Sequence, residues 1–150
     1  MKMVTAFFAA VFIGLGFFSL PLPAFANSSN NNVILQKDQI INKDYFAAGE
    51  TVTLSGTVNG DAYIAGGSVI IEGVINGDLL AAGGTVNIRG TVTNNVRVVG
   101  GQVTVSGEVG RNITTAGGSI HIADSAKING SLTAGAGSVS IFAPIGKEVN

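Results

Sequence analysis

The sequence predicts an all-β protein, a parallel β-solenoid of about six to seven coils with about 17 to 19 residues in each coil. Three features predict it: a sequence repeat with a period of 17, alternating apolar residues within each repeat, and glycine at 22 of 150 positions. Such alternation is typical of strands with one buried face, and the repeat is too short for a propeller blade or a helical pair. The glycine density and the lack of an apolar stripe at helical spacing both oppose helices.

Residues 1–26 form a separate segment. Lys2 gives a positive start, residues 4–20 are an uncharged apolar run, Pro21 and Pro23 interrupt it, and residues 24–26 read as a small-x-small cleavage site. This arrangement predicts a secretory signal peptide. An N-terminal membrane anchor is the alternative, since about 18 apolar residues suffice to span a bilayer. Both interpretations place the remaining chain outside the cytoplasm, either periplasmic or extracellular, or anchored at the cell envelope.

Residues 27–32, with the sequence NSSNNN, are predicted to be a polar linker, and the repeat occupies residues 33–150. A dipeptide marker recurs at a constant spacing of 17, at Ala48-Gly49, Ala65-Gly66, Ala82-Gly83, Val99-Gly100 and Ala116-Gly117. Two units are longer. The first has two extra residues around residues 37–39, and the last has one at Asp124-Ser125 and one within residues 134–137. All these insertions are predicted to fall in turns.

Four columns of residues, one residue per coil, are predicted to face inward as the core. They are Val52, Val69, Val86, Val103, Ile120 and Val139; Leu54, Ile71, Ile88, Val105, Ile122 and Ile141; Val58, Ile75, Val92, Val109, Ile128 and Ile145; and Ala62, Leu79, Val96, Ile113 and Leu132. Each coil buries its apolar side chains only against its neighbours, so a single coil would not fold alone. The glycine column Gly56, Gly73, Gly90 and Gly107 is expected at sharp bends that require positive φ.

One column carries side chains that could perform chemistry. Its members are Asp44, Asp61, Asp78, Asn95 and Asn112, followed by Ser131. Stacked carboxylates would suit glycosidase acid–base chemistry or a hard cation, and a lyase or hydrolase using Asp61 and Asp78 would lose activity in Asp78→Asn. The favoured interpretation is structural, because the column accepts Asn and Ser. Such side chains cap turns by accepting hydrogen bonds from nearby backbone amides.

The remaining candidate residues are interpreted as surface groups. His121 lies between two inward residues and is expected to face solvent with no Asp or Ser partner in its column, while Glu72 and Arg89 share a column as an exposed ion pair. The chain has no Cys and one His, which excludes thiolate sites and His-rich metal sites. We therefore predict no catalytic, cofactor or metal site and no enzyme.

Composition also limits which classes of partner we expect the protein to bind. Only 11% of the residues are charged and the formal net charge is −1, so no nucleic-acid partner is expected. After residue 26 the aromatic residues are Tyr45, Phe46, Tyr63 and Phe142. We expect no aromatic surface of the kind that binds sugars or single strands.

Residues 65–78, AGGSVIIEGVINGD, and their echo AGGTVNIRGTVTNN resemble the repeat of the bactofilins, a polymer-forming cytoskeletal family. The likeness covers residues 33–150 and rests on hydrophobic-x-hydrophobic-x-Gly repeats that end in Gly-Asp. It implies a right-handed β-helix without cofactors or catalytic residues, which polymerises end to end into filaments that act as scaffolds at the membrane. Bactofilins are usually cytoplasmic, so the leader implies an exported scaffold at the cell envelope.

Residues 145–150 stop partway through a coil with no helix or polar cap after them, which predicts an open apolar end. A truncated fragment would look the same. We expect an exported, non-enzymatic structural protein that assembles end to end, whose partners are copies of itself and a membrane or envelope polysaccharide. The alternative is a solenoid adhesin that presents a polar column to envelope polysaccharide. This polar column is Thr51, Ser68, Thr85, Gln102, Ser119 and Ser138.

Overall fold

The computed structural model describes residues 31–150, which form a parallel β-solenoid of about six coils without helices. The predicted fold class is confirmed. Strands with odd numbers are β1 (Asn32–Leu35), β3 (Tyr45–Leu54), β5 (Ala62–Ile71), β7 (Leu79–Ile88), β9 (Val96–Val105), β11 (Ile113–Ile122) and β13 (Leu132–Ile141). Strands with even numbers are short: β2 (Ile40–Ile41), β4 (Thr57–Val58), β6 (Val74–Ile75), β8 (Thr91–Val92), β10 (Glu108–Val109) and β12 (Lys127–Ile128). The predicted leader and most of the predicted linker lie outside the described residues.

The strands form two parallel sheets, one of the seven odd-numbered strands and one of the six even-numbered strands, both in chain order. Each strand pairs with its counterpart in the next coil, so that Val69 lies beside Val86 and Ile71 beside Ile88. Neighbouring strands in a sheet are about 4.8 Å apart, so every column of equivalent residues is continuous along the solenoid axis.

Each long strand bends near its middle, where the alternation of inward side chains shifts. In β5, Ala62 and Ile64 face inward before the bend, and Val69 and Ile71 face inward after it. The ladder of paired residues skips Gly67, which lies at the bend. Each coil therefore has three sides: the two halves of a long strand, and a short strand.

The four predicted inward columns form the core. Their members in the first five coils are buried, with exposures of 0–2%. In the last coil Val139 is 41% exposed and Ile141 and Ile145 are half-buried, because no later coil within residues 31–150 covers them. Within residues 31–150 the columns are thus covered on both sides in the interior coils and on one side in the last coil.

The structure contains a fifth inward column, which was not predicted from the sequence. It runs through the first half of the long strands and includes Ile64, Ala81, Val98 and Thr115, all buried. Alanine and threonine stand among its members beside isoleucine and valine, so its apolar character is weaker than that of the other columns. Thr115 Oγ1 is buried without a hydrogen-bond partner among the described residues.

The predicted reason for the glycine column is wrong. No glycine in residues 31–150 has a positive φ, so left-handed backbone is not what these corners require. A Cβ built at Gly73 would overlap the carbonyl oxygen of Gly56, one coil earlier, and Gly90 and Gly107 have the same relationship to the preceding coil. Glycine is needed there because the backbones of successive coils approach too closely for a side chain.

The longer first coil has its extra residues where the sequence predicted them. Leu35 pairs with Leu54, an offset of 19 in the numbering, whereas Ile40 pairs with Thr57, an offset of 17. The two extra residues therefore lie between these pairs. The Gln39 N–H donates a 3.0 Å hydrogen bond to the Gln36 carbonyl and closes the turn that holds them.

The prediction for the second longer coil is wrong in part. Ile122 pairs with Val105 at an offset of 17, and Lys127 pairs with Glu108 at an offset of 19, so both extra residues lie within residues 123–126. Residues 134–137 contain no insertion, since pairing keeps the offset of 19 on both sides of them. The two extra residues together form one turn, which the Ala126 N–H closes by donating a 3.1 Å hydrogen bond to the Ala123 carbonyl. Both insertions occupy the same corner of the coil, where other coils carry the glycine column.

Candidate functional site

The acidic column stacks one residue per coil, as predicted, and each side chain bonds to the next coil. The Asp61 N–H donates to Asp44 Oδ1 at 3.0 Å, the Asp78 N–H to Asp61 Oδ1 at 2.8 Å, and the Asn95 N–H to Asp78 Oδ1 at 3.0 Å. These bonds make the column a ladder that links coils at a corner where strand pairing is interrupted. We call it the Asx ladder.

The Asx ladder continues through neutral side chains with the same pattern of donors and acceptors. The Asn112 N–H donates to Asn95 Oδ1 at 3.4 Å, and the Ser131 N–H to Asn112 Oδ1 at 2.9 Å. The predicted bonds to backbone amides are present, but each amide lies one coil further along the chain and not in the same turn. An amide oxygen can also accept such a bond, which explains why the column tolerates Asn.

The Asp side chains of the Asx ladder already have hydrogen-bonding or charged partners. One oxygen of each Asp in the Asx ladder accepts a backbone hydrogen bond, and Asp78 Oδ2 also lies 3.5 Å from Arg97. Within residues 31–150 no group of three or more His, Cys, Asp or Glu side chains is placed to hold a metal ion.

A second ladder, of asparagine amides, was not predicted. Asn59 Nδ2 donates to Asn42 Oδ1, and Asn76 Nδ2 donates to Asn59 Oδ1, both at 2.7 Å. The recurrence of Asn at the period of the repeat was the available signal. The ladder ties the first three coils together on the solvent side.

Ion pairs join charged side chains on successive coils. The predicted pair of Glu72 and Arg89 forms, with Oε1 and Nη1 3.5 Å apart, and Lys127 lies 3.4 Å from Glu108 in the same way. Both pairs are solvent-exposed. Such pairs contribute about 0–1 kcal/mol each and mainly favour the correct register.

His121 faces solvent as predicted, but its predicted surroundings are corrected. Ser140 lies beside it in the register of β11 and β13, because residues paired between these strands differ by 19 in number. The imidazole ring packs against Phe142, with ring centroids 5.3 Å apart and planes tilted by 51°. His121 thus belongs to a small exposed cluster at the C-terminal end.

The polar column of the adhesin alternative stacks in register as predicted. Its first three members are half-buried, and Gln102, Ser119 and Ser138 are exposed. Only the C-terminal half of this polar column is therefore open to a large ligand.

An apolar groove of about 700 Å³ lies on the outer face of the first half of the long strands and was missed in the sequence. One wall is a column of mostly large residues, which we call the ridge column: Phe46, Tyr63, Leu80, Arg97 and Thr114. Beside it runs a column of mostly small residues, which we call the alanine column: Ala48, Ala65, Ala82, Val99 and Ala116. The groove spans five coils, a length of about 19 Å.

One end of this groove, which we call its aromatic end, holds Phe46 and Tyr63, a pairing that the sequence did not predict. The rings of Phe46 and Tyr63 stack with centroids 4.7 Å apart and planes 6° from parallel. Phe46 is 70% exposed, and Leu80 and Val99 are also exposed. The signal in the sequence was a set of large outward residues at the period of the repeat. Strand alternation alone predicts only that these positions face away from the core.

The two ends of the solenoid are the other apolar surfaces. Ile34 and Ile40 are exposed in the first coil, and Val139, Phe142 and Val149 are exposed in the last. The outer edge of β3 before Gly49 pairs with no earlier strand in the described part of the chain. Apolar side chains and unpaired backbone therefore occur together at the ends.

Charge is distributed unevenly along the axis. Residues 31–78 carry six acidic and two basic side chains, a net charge of −4, whereas residues 79–150 carry three acidic and five basic side chains, a net charge of +2. The N-terminal half of the solenoid is thus acidic and the C-terminal half basic.

Comparison of the chain with models of protein families, with curated proteins and with solved structures finds no match. The structure itself shows the parallel β-solenoid, and these comparisons assign it to no family. In residues 31–150 there is no helix of the length and apolarity needed to cross a membrane.

Proposed function

We propose that the protein is an exported, non-enzymatic structural protein whose solenoids join end to end into a scaffold or filament at the cell envelope. The observation that carries this proposal is the exposure of inward columns in the last coil, above all at Val139. Its counterpart one coil earlier, Ile120, is 1% exposed. Another solenoid stacked on this coil would bury Val139 as the interior coils bury Ile120.

Backbone pairing supports the same contact. Each interior strand bonds to a neighbour on both sides. The first residues of β13, from Leu132 to Ala134, bond to residues 148–150, whereas the outer edge of the rest of β13 has no partner in residues 31–150. Unpaired parallel edges are templates for a further strand, and a repeated coil offers a similar edge at each end. Head-to-tail joining would continue both the sheets and the inward columns.

The resemblance to bactofilins is part of this proposal and is consistent with it. It rests on the repeat in residues 65–78, and it would make the protein a bactofilin-like polymer former. The predicted leader would place such a polymer outside the cytoplasm, beside a membrane or envelope polysaccharide.

The side-chain chemistry favours a structural role. The Asx ladder uses its oxygens to bind backbone amides, and Asn95 and Asn112 take positions that an acid–base mechanism would reserve for carboxylates. The described residues carry a net charge of −2. A negative net charge does not attract the phosphate backbone, so we propose no nucleic-acid partner.

The test is electron microscopy of the purified full chain with two matched variants. Val139→Asp places a charge on the open end and is expected to abolish filaments, because the carboxylate would be buried unpaired in the junction. Val74→Asp places the same charge on the side wall, where Val74 is also exposed, and is expected to keep them. Filaments that persist in Val139→Asp would contradict the proposed junction.

The adhesin alternative is supported by the exposed residues Gln102, Ser119 and Ser138, which lie in register on one face. It predicts that the monomeric protein is retained on insoluble envelope polysaccharide and that the double variant Gln102→Ala, Ser119→Ala reduces retention. If the protein forms filaments but is not retained on the polysaccharide, the scaffold proposal is favoured over the adhesin.

A further inference from the structure

We propose that the apolar groove is a lateral docking face for a second copy of this chain, paired antiparallel about a two-fold axis at Leu80. This contact is separate from end-to-end joining, because it uses the side of the solenoid and leaves both ends free. The argument rests on the exposure of the groove, on the order of residues along the ridge column and on the axial distribution of charge.

The groove exposes apolar side chains that no described part of the chain covers. Phe46 is 70% exposed, Leu80 47% and Val99 60%, and all three lie on one side of the solenoid. Contiguous exposed apolar surface rimmed by polar residues is a feature of interaction sites. Both faces of a two-fold contact are the same patch, so a single groove is sufficient for the pair.

The order of the ridge column is complementary to its own reverse. An axis that lies in the interface and crosses the solenoid at Leu80 sets Leu80 opposite Leu80 of the second copy. It also sets Tyr63 opposite Arg97, and Phe46 opposite Thr114, since these residues lie at equal coil distances from Leu80. Arg97 beside an aromatic ring is a favourable cation–π arrangement. Its side chain is 59% exposed next to Asp78 and is therefore accessible to the second copy.

Charge distinguishes the antiparallel pair from a parallel one. Residues 31–78 have a net charge of −4 and residues 79–150 a net charge of +2, so antiparallel copies bring unlike halves together. Along the corner that borders the groove, Asp61 of one copy comes level with Arg97 of the other. A parallel pair would place the acidic halves side by side.

The same charges make an anionic lipid surface a poorer occupant. Asp44, Glu50 and Asp61 each lie two residues along the chain from a residue that lines the aromatic end of the groove. An anionic headgroup would meet these carboxylates, whereas the basic half of a second copy would be attracted to them.

Engineered cysteines test the pairing cleanly, because the chain has no native Cys. Ala82→Cys is expected to cross-link to itself with a short bismaleimide, since Ala82 lies level with Leu80 in the alanine column. A mixture of full-length Ala48→Cys and Ala116→Cys chains is expected to give the mixed cross-link, and Ala48→Cys alone is expected to give none. Cross-linking of Ala48→Cys to itself, or no cross-link from any variant, would overturn the proposal.

Two side-wall variants complete the test. Leu80→Glu is expected to reduce the Ala82→Cys cross-link at least tenfold, and Val74→Glu is expected to leave it unchanged. Circular dichroism verifies that both variants fold. Equal cross-linking in both, or binding of lipid vesicles that Leu80→Glu abolishes while no pairs form, would contradict a protein partner. Cross-linked pairs without longer assemblies would support lateral docking and contradict end-to-end joining. The experiment therefore distinguishes a failure of one proposal from a failure of the other.

Discussion

The backbone N–H of Asp78 donates a 2.8 Å hydrogen bond to the Oδ1 atom of Asp61, one coil earlier in the chain. The bond lies at the corner before each long strand, where the solenoid has no strand pairing. It makes a side chain serve as the acceptor that a neighbouring strand would otherwise supply. Repetition of this bond from coil to coil explains why the column contains Asp, Asn and Ser but no apolar residue.

Asp61→Ala should destabilise the solenoid, because the half-buried Asp78 N–H loses its acceptor. We expect the free energy of unfolding to fall by about 1–3 kcal/mol. Asp61→Asn keeps an oxygen in the same place and should change it by less than about 1 kcal/mol. Urea unfolding followed by circular dichroism measures both. A large loss in Asp61→Asn would mean that the charge, and not the acceptor, matters.

Gly73→Ala should be destabilising by about 1–3 kcal/mol, since the new methyl group meets the carbonyl of Gly56 and the coils must move apart. Gly135→Ala is the matched control, because its Cβ would meet no atom within 4 Å and the alanine column has Ala at the equivalent site in other coils. Thermal unfolding of the two variants decides the point. Similar melting temperatures would show that close approach does not explain the glycine column.

Thr115→Val should stabilise the protein. The Thr115 hydroxyl is buried without a partner among the described residues, and Val98 occupies the same inward column one coil earlier. Removing an unsatisfied hydroxyl should raise the free energy of unfolding by about 1 kcal/mol or more. Thr114→Val, on the exposed neighbour, should change it by less than about 0.5 kcal/mol. Urea unfolding at one protein concentration compares them, and a loss of stability in Thr115→Val would refute the assignment.

Ile122→Ala and Ile141→Ala remove the same atoms from one column at different distances from the end. Ile122 is fully buried, so its loss should lower the free energy of unfolding by about 2–5 kcal/mol. Ile141 is half-buried in the last coil and should cost clearly less in dilute, unassembled protein. The cost of Ile141→Ala should rise when the protein is assembled. Equal costs in dilute protein would show that the end coil is already covered.

The period of the sequence was sufficient to predict the coil and most of the core. Val69, Val86 and Val103 are equally spaced in the chain and lie beside one another, because strand alternation and a fixed coil length together determine which side chains stack. The corners were harder to predict. For the last longer coil, the sequence predicted one extra residue at each of two places. Sequence similarity alone did not show that a single turn holds both extra residues.

The surfaces could be predicted only in part. The stacking of Glu72 on Arg89 follows directly from the period, as does the Asx ladder. The groove was not predicted, because alternation shows that Phe46 and Leu80 point outward but not that the wall beside them is concave. The role of glycine was also misjudged, since close approach between coils is a property of stacked backbones.

Light scattering coupled to size-exclusion chromatography of the unmodified protein, over a wide range of concentrations, tests end-to-end assembly most directly. An open-ended solenoid should give a mass that rises continuously with concentration and exceeds that of two chains. A mass that stays at one chain, 15.1 kDa or less if the leader is removed, at every concentration would contradict the account.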